Sequence, residues 1–228
     1  MTYHSILVRK TAGVALLLFP ILMMLAFTMH FPSLASFFKF RSSYGIYDSG
    51  KLFDMLVAGH GHSFIMAHFT AFLTVPLFLI SIFVLSRFLY AEKPLFTIGC
   101  VITGIIGCMA LAAVFGAWLS FSGIATVNEN NYEGARAGFI ELLKMKGMLK
   151  IITMGSYLSF ISIMMLATGL IWTKKFNTWN MLSIIIGCML FVLFMDLDNW
   201  MFVGSLFLLI GFIPVNKRLR LKFSHNHL

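Results

Sequence analysis

Apolar residues in this chain come in long runs rather than in stripes. Six segments, residues 11–30, 63–88, 95–122, 150–172, 179–195 and 199–215, are almost free of charge from end to end. Each has about the length that an α-helix needs to cross a hydrocarbon layer of roughly 30 Å. Inside lipid every backbone N–H and C=O has to be satisfied within the segment, so helices are the spanning element expected. The short alternating segments of a β-barrel are absent. The pattern predicts an all-α fold, a polytopic membrane bundle of six transmembrane helices in a single integral membrane domain over residues 1–228.

The polar interruptions set the boundaries. Arg9 and Lys10 precede the first run, Arg87 closes the second, and Glu92, Lys93 and Pro94 precede the third. Lys174 and Lys175 close the fourth, while Asp196, Leu197 and Asp198 alone separate the fifth from the sixth. The first run is longer than the 7–15 apolar residues of a secretory signal, so it reads as a retained signal-anchor. The 1–2 connection carries Phe37, Phe38, Phe40, Tyr44, Tyr47 and Phe53, and the 3–4 connection carries Tyr132, Phe139, Ile140, Leu142 and Leu143. Both read as segments lying along the membrane interface, where amphipathic rings are favoured.

Composition sharpens this picture. Hydrophobic residues make up 60% of the 228, and charged residues only 11%, against about a quarter in soluble domains. The net charge of +9 would suggest nucleic acid in a soluble protein. Here the basic residues flank apolar runs, so they report topology and contact with anionic headgroups, and no nucleic-acid partner is expected. Six spans put Arg9/Lys10, Arg87/Lys93, Lys174/Lys175 and the C-terminal Lys217, Arg218, Arg220 and Lys222 on one side, with Asp196 and Asp198 on the other. Both termini are then cytoplasmic, in a plasma membrane or a bacterial inner membrane.

Packing signals lie inside the runs. Cys100, Gly104, Cys108, Ala112 and Gly116 recur every four residues, a stripe of small side chains that lets two helix backbones approach closely. Thr153, Ser156, Ser159 and Ser162 recur every three; their hydroxyls can bond carbonyls one turn back, which makes them cheap to bury. Pro20 and Pro76 each remove a backbone donor within a span and favour a kink. Cys100, Cys108 and Cys188 read as small packing residues: Cys100 and Cys108 are roughly 12 Å apart along one helix, beyond disulfide reach.

Few residues could carry chemistry. His60 and His62 flank Gly61, and Asp196 and Asp198 lie on the same side of the predicted membrane. Two imidazoles and two carboxylates would make a divalent-metal set if spans two and six were neighbours. The bland reading is that Asp-x-Asp-Asn turns a tight hairpin and caps the next helix. His68 falls within the second span, where ionisable groups are costly and often functional; hydrogen bonding to a neighbouring helix would also account for it. A bis-histidine haem would need a histidine facing His68, and His30, at the end of the first span, is the one available. No acidic or basic residue sits deep in a span, which argues against a carboxylate proton relay or a voltage sensor. Nucleotide, zinc-protease and serine-hydrolase signatures are absent.

These features favour a small permease-like or accessory subunit that handles a neutral or lipid-like compound, with the bilayer as its first partner. A metal-dependent membrane enzyme or metal-binding protein using His60, His62, Asp196 and Asp198 is the rival. A structural subunit, docking another membrane protein or a second copy, is the third reading.

Overall fold

A computed structural model describes residues 3–30, 37–38, 49–120, 130–144, 147–194 and 198–221, and among them no strand occurs. Helix α1 runs Tyr3–Met29 and α2 Ser49–Met55. A π-helical turn, Leu56–His60, joins α2 directly to α3, Gly61–Leu89. Then follow α4 (Pro94–Leu119), α5 (Tyr132–Leu143), α6 (Met148–Trp172), α7 (Thr178–Leu193) and α8 (Asp198–Leu221).

Five helices are long and apolar enough to cross a membrane: α1 over Lys10–Met29, α3, α4, α6, and α8 over Asn199–Leu219. The fifth apolar run of the sequence becomes α7, apolar but only 16 residues long. Its limits are local. The Asn177 side chain accepts the Trp179 N–H at 2.9 Å and fixes the start, while Phe194 leaves helical geometry at φ −126°, ψ 37°.

The helices close into a ring in chain order: α1 packs on α3, α3 on α4, α4 on α6, α6 on α7, α7 on α8, and α8 returns to α1. α3 and α6 also touch across the ring. Consecutive neighbours run antiparallel, as the pairs Phe19–Phe78 and His30–His68 and the pairs Cys100–Ser162 and Gly107–Ser159 show across the two long connections, so the bundle has a terminal end, where α1 starts and α8 finishes, and a distal end. At the terminal end Lys175 pairs with Glu92 at 2.7 Å, and the Arg218 guanidinium lies 4.9 Å from the centre of the Phe176 ring.

Lipid supplies no hydrophobic drive between helices, so the ring depends on close fit and on polar contacts. Gly104 lies against Ile82 and Ser162, and the Ser162 hydroxyl donates to the Cys100 carbonyl across the α4–α6 seam at 2.6 Å. Thr153, Ser156 and Ser159 instead bond back to carbonyls of α6 itself, at 2.8, 2.7 and 2.7 Å. The tightest approach falls at Gly107, off the four-residue stripe: a methyl group there would come within 2.6 Å of the Leu158 carbonyl carbon. Cys108 is buried and Ala112 half-buried, whereas a methyl at Gly116 would meet nothing within 4 Å. The α7–α8 pair is also glycine-spaced. A methyl at Gly187 would sit 2.7 Å from the Gly204 carbonyl oxygen, and one at Gly204 2.9 Å from that of Gly187.

Across the middle of the ring runs a layer of phenylalanines. Phe19 stacks on Phe78 at 4.5 Å, Phe78 meets Phe160 at 5.0 Å, Phe160 stacks on Phe191 at 4.7 Å, and Phe191 returns to Phe27 at 5.6 Å. Rings from α1, α3, α6 and α7 thus interlock, adding offset and tilted aromatic contacts to simple packing.

At the distal end α2 and α5 pack on each other. Phe53, Leu56, Phe64 and Phe139 form a second buried cluster there, with Trp118 and Tyr132 against it. The 33–62 connection expected from the sequence is therefore helical over nearly its last half, from Ser49 onward. Its aromatic content left no periodicity to read, because Phe53 and Leu56 pack against a second short helix as well as against Phe64 and Trp118 of the bundle. Phe40, Tyr44 and Tyr47 lie outside the described residues.

Candidate functional site

A cavity of about 260 Å³ opens in the distal half of the ring, above the phenylalanine layer. All six ring helices contribute to it: Met23 and Phe27 from α1, His68 from α3, Trp118 from α4, Tyr157 from α6, Phe191 from α7 and Met201 from α8. Phe160 and Phe191 belong both to the lining and to the layer, so the aromatic layer is the chamber's floor. Six helices ringed around an axis leave a gap wherever side chains do not reach the centre. Here small and medium residues, Val114, Leu111 and Thr153, stand at the distal level where phenylalanines fill the middle.

Among the described residues the lining carries no Asp, Glu, Lys or Arg. Its polar members are His68, Thr153 and Tyr157. The Thr153 hydroxyl donates to the Leu149 carbonyl at 2.8 Å on the α6 wall.

His68 is 8% exposed, two turns into α3. Its Nδ1 lies 2.9 Å from the Phe64 carbonyl and 3.3 Å from Nε2 of His30, which ends α1. A carbonyl oxygen only accepts, so this bond places a proton on His68 Nδ1 and makes His30 Nε2 a second acceptor of it. The His68 ring is also enclosed by aromatic neighbours, Phe64 at 4.3 Å, His30 at 4.7 Å and Trp118 at 5.3 Å between centroids. The contact between His30 and His68 joins the distal end of α1 to its ring neighbour α3, two turns from the start of α3. It is the partner that a sequence-level bis-histidine idea required. The 260 Å³ available beside it is at or below the low end of small-molecule sites, roughly 300–1,000 Å³, and too small for a haem.

Of the histidine–aspartate set expected from sequence, the described residues include the side chain of His62 alone. His62 is exposed at the start of α3. Asp196 and the side chains of His60 and Asp198 lie outside the described residues. Among the described residues no three His, Cys, Asp or Glu side chains gather as metal ligands. Gly104 and Cys108 are buried between helices of this same chain.

Above the chamber the α2–α5 pair is fastened by polar contacts. The Tyr132 hydroxyl and the Arg136 Nε both donate to Asp54 Oδ1, the latter at 3.2 Å. Donation to the Asp54 carboxylate is the main cause that pushes the Tyr132 phenol above its usual range, with burial and the carboxylate charge adding to it. Tyr132 therefore stays a donor throughout neutral pH.

The chamber was not visible in the sequence. Its lining is drawn from six helices, so no single motif marks it; the sequence signals were His68, an ionisable residue within a span, and Thr153 on the hydroxyl ridge. Comparison with protein-family models, with curated proteins and with solved structures found no match.

Proposed function

We propose that this chain is an integral membrane protein that binds a neutral, mainly apolar small molecule in the distal chamber, acting as a permease-like or accessory subunit. The observation that carries this reading is the chamber itself: enclosed by six helices, walled by aromatic rings and methionines, and, among the described residues, without an Asp, Glu, Lys or Arg. A charged ligand would lose its hydration there with no counter-ion on the wall. A neutral planar compound would stack on the rings and present one polar group to His68 or to the α6 hydroxyls. The phenylalanine floor favours a chamber entered from one end over an open conduit.

The experiment uses protein in which Trp172, Trp179 and Trp200 are replaced by Phe, leaving Trp118 as the reporter. Titration with bromonaphthol, a flat neutral quencher, is expected to quench Trp118 saturably. Quenching that only rises linearly, as for partition into detergent, would overturn the reading.

The same proposal includes six membrane spans, with the 16-residue α7 crossing beside α8, α2 and α5 at the interface, and lipid against the exposed Ile98, Ile102, Ile106 and Met109 of α4. Basic residues at the terminal end, Lys93, Lys174, Lys217 and Arg218, support the part of the proposal that puts both termini in the cytoplasm, in a plasma membrane or bacterial inner membrane. The three native cysteines are buried, so a Lys222→Cys variant should react with an impermeant thiol reagent only from the cytoplasmic side. Labelling of intact cells from outside would reverse the orientation. No observation favours the metal or structural-subunit readings over this one.

A further inference from the structure

We propose that the α2–α5 pair is a lid over the chamber, held shut by the Asp54 latch and hinged at the π-helical turn Leu56–His60. The inference rests on the chamber reading above and adds the route of entry. Four features meet at the distal mouth. Trp118 lines the chamber and also packs beneath the lid, with its ring 6.4 Å from Phe139 of α5. Phe64 stands at the same junction, 4.3 Å from His68 below, 6.0 Å from Trp118 beside it and 6.3 Å from Phe139 above. Movement of the lid therefore changes the surroundings of two rings that border the chamber.

The fastening is suited to opening. Asp54, on α2, is reached from α5 by Tyr132 and Arg136, and the ion-pair side chains are 35% and 45% exposed. Ion pairs in contact with water contribute little, so the latch biases the lid without locking it. Among the described residues the lid is otherwise held by one small apolar cluster, in which Phe53 meets Tyr132 and Phe139, both at 5.5 Å, and Leu56, Phe64 and Trp118 pack beside them. The hinge is already present in the backbone. π-helical turns are rare, carry a different hydrogen-bond register and recur at functional sites. This one joins the lid helix to the helix that carries Phe64 and His68. Swinging α2 about it exposes the face of Phe64 and opens a path between Phe64 and Trp118.

A gate that covers empty and occupied chambers alike changes rates and leaves affinity where it was. The test measures stopped-flow binding and release of bromonaphthol on the single-Trp118 protein, comparing the parent with Asp54→Asn and with Arg136→Gln. Each variant loses part of the latch, so association and dissociation should both accelerate about two- to fivefold, the size expected for a weak exposed pair, with Kd unchanged. Hydrogen exchange should rise over residues 61–68 and 132–143 in the same variants and stay at parent level at the terminal end. Tyr132→Phe provides a third, milder variant should either charge change impair folding.

The outcomes separate the two ideas. Saturable binding with unchanged rates in all three variants overturns the lid and leaves the chamber standing. A weaker Kd from faster release alone overturns it too, by making the latch part of the binding wall. No saturable binding in the parent overturns the chamber, and the lid falls with it.

Discussion

Replacing Gly107 by Ala is expected to destabilise the bundle by about 2 kcal/mol or more, although the same change helps most helices. In a helix interior, Gly→Ala gains roughly 0.5–1 kcal/mol, because alanine has less backbone freedom to lose. At Gly107 the added methyl would lie within 2.6 Å of the Leu158 carbonyl carbon and of the Ser159 Cα. Those are backbone atoms of α6, so no rotamer change relieves the contact and the two helices have to move apart. Separation would also stretch the Ser162 to Cys100 bond, 2.6 Å long and on the same seam. Gly116→Ala is the internal control: it lies on the same helix, and its methyl would meet nothing within 4 Å. Thermal unfolding in detergent should show Gly107→Ala well below the parent and Gly116→Ala at or above it. Equal melting temperatures for the two variants would mean that α4 and α6 do not meet as described.

Filling the chamber should separate binding from stability. Val114 lies on the wall and is 4% exposed. Val114→Phe would project a ring into space that no side chain occupies, competing for the volume a planar ligand needs. Bromonaphthol affinity should fall about 100-fold, equivalent to ~2.7 kcal/mol. Stability should hold or rise by about 0.5–2 kcal/mol, the usual result of filling a void. The opposed signs carry the test, since a variant that merely damaged the fold would lose both. Tight binding retained in Val114→Phe would place the ligand outside the chamber.

The contrast between Gly107 and Gly116 also shows what the sequence could and could not convey. Long apolar runs bounded by Arg87, Pro94, Lys174 and Lys175 were sufficient to place the main helices, because lipid-length hydrophobicity and end signals are properties of neighbouring residues. A stripe repeating every four residues marked one face of α4. Which members of that face meet another backbone depends on where α6 crosses, and that is a property of two helices together. Gly187 and Gly204, seventeen positions apart, illustrate the same limit: each is unremarked alone, and their mutual approach is a fact of the α7–α8 hairpin. The candidate site was legible at His68, at His30 as its one available histidine partner, and at Thr153 on the hydroxyl ridge. The contact of His68 with His30, thirty-eight positions away, and its share in a chamber drawn from six helices required the closed ring.

The shortness of α7 reaches beyond the protein to the lipid around it. Sixteen residues rise about 24 Å, against roughly 30 Å of hydrocarbon, whereas the neighbouring α8, with 24 residues, spans the full thickness. In the six-span arrangement one flank of the bundle is therefore some 6 Å shallow, and acyl chains beside it must compress or leave polar backbone ends inside the oil. Each ångström of such mismatch costs a fraction of a kcal/mol, enough in sum to sort the protein towards thinner bilayers. In that arrangement the glycine-tight packing of α7 against α8 would set a thickness preference, read by the membrane along one side of the ring.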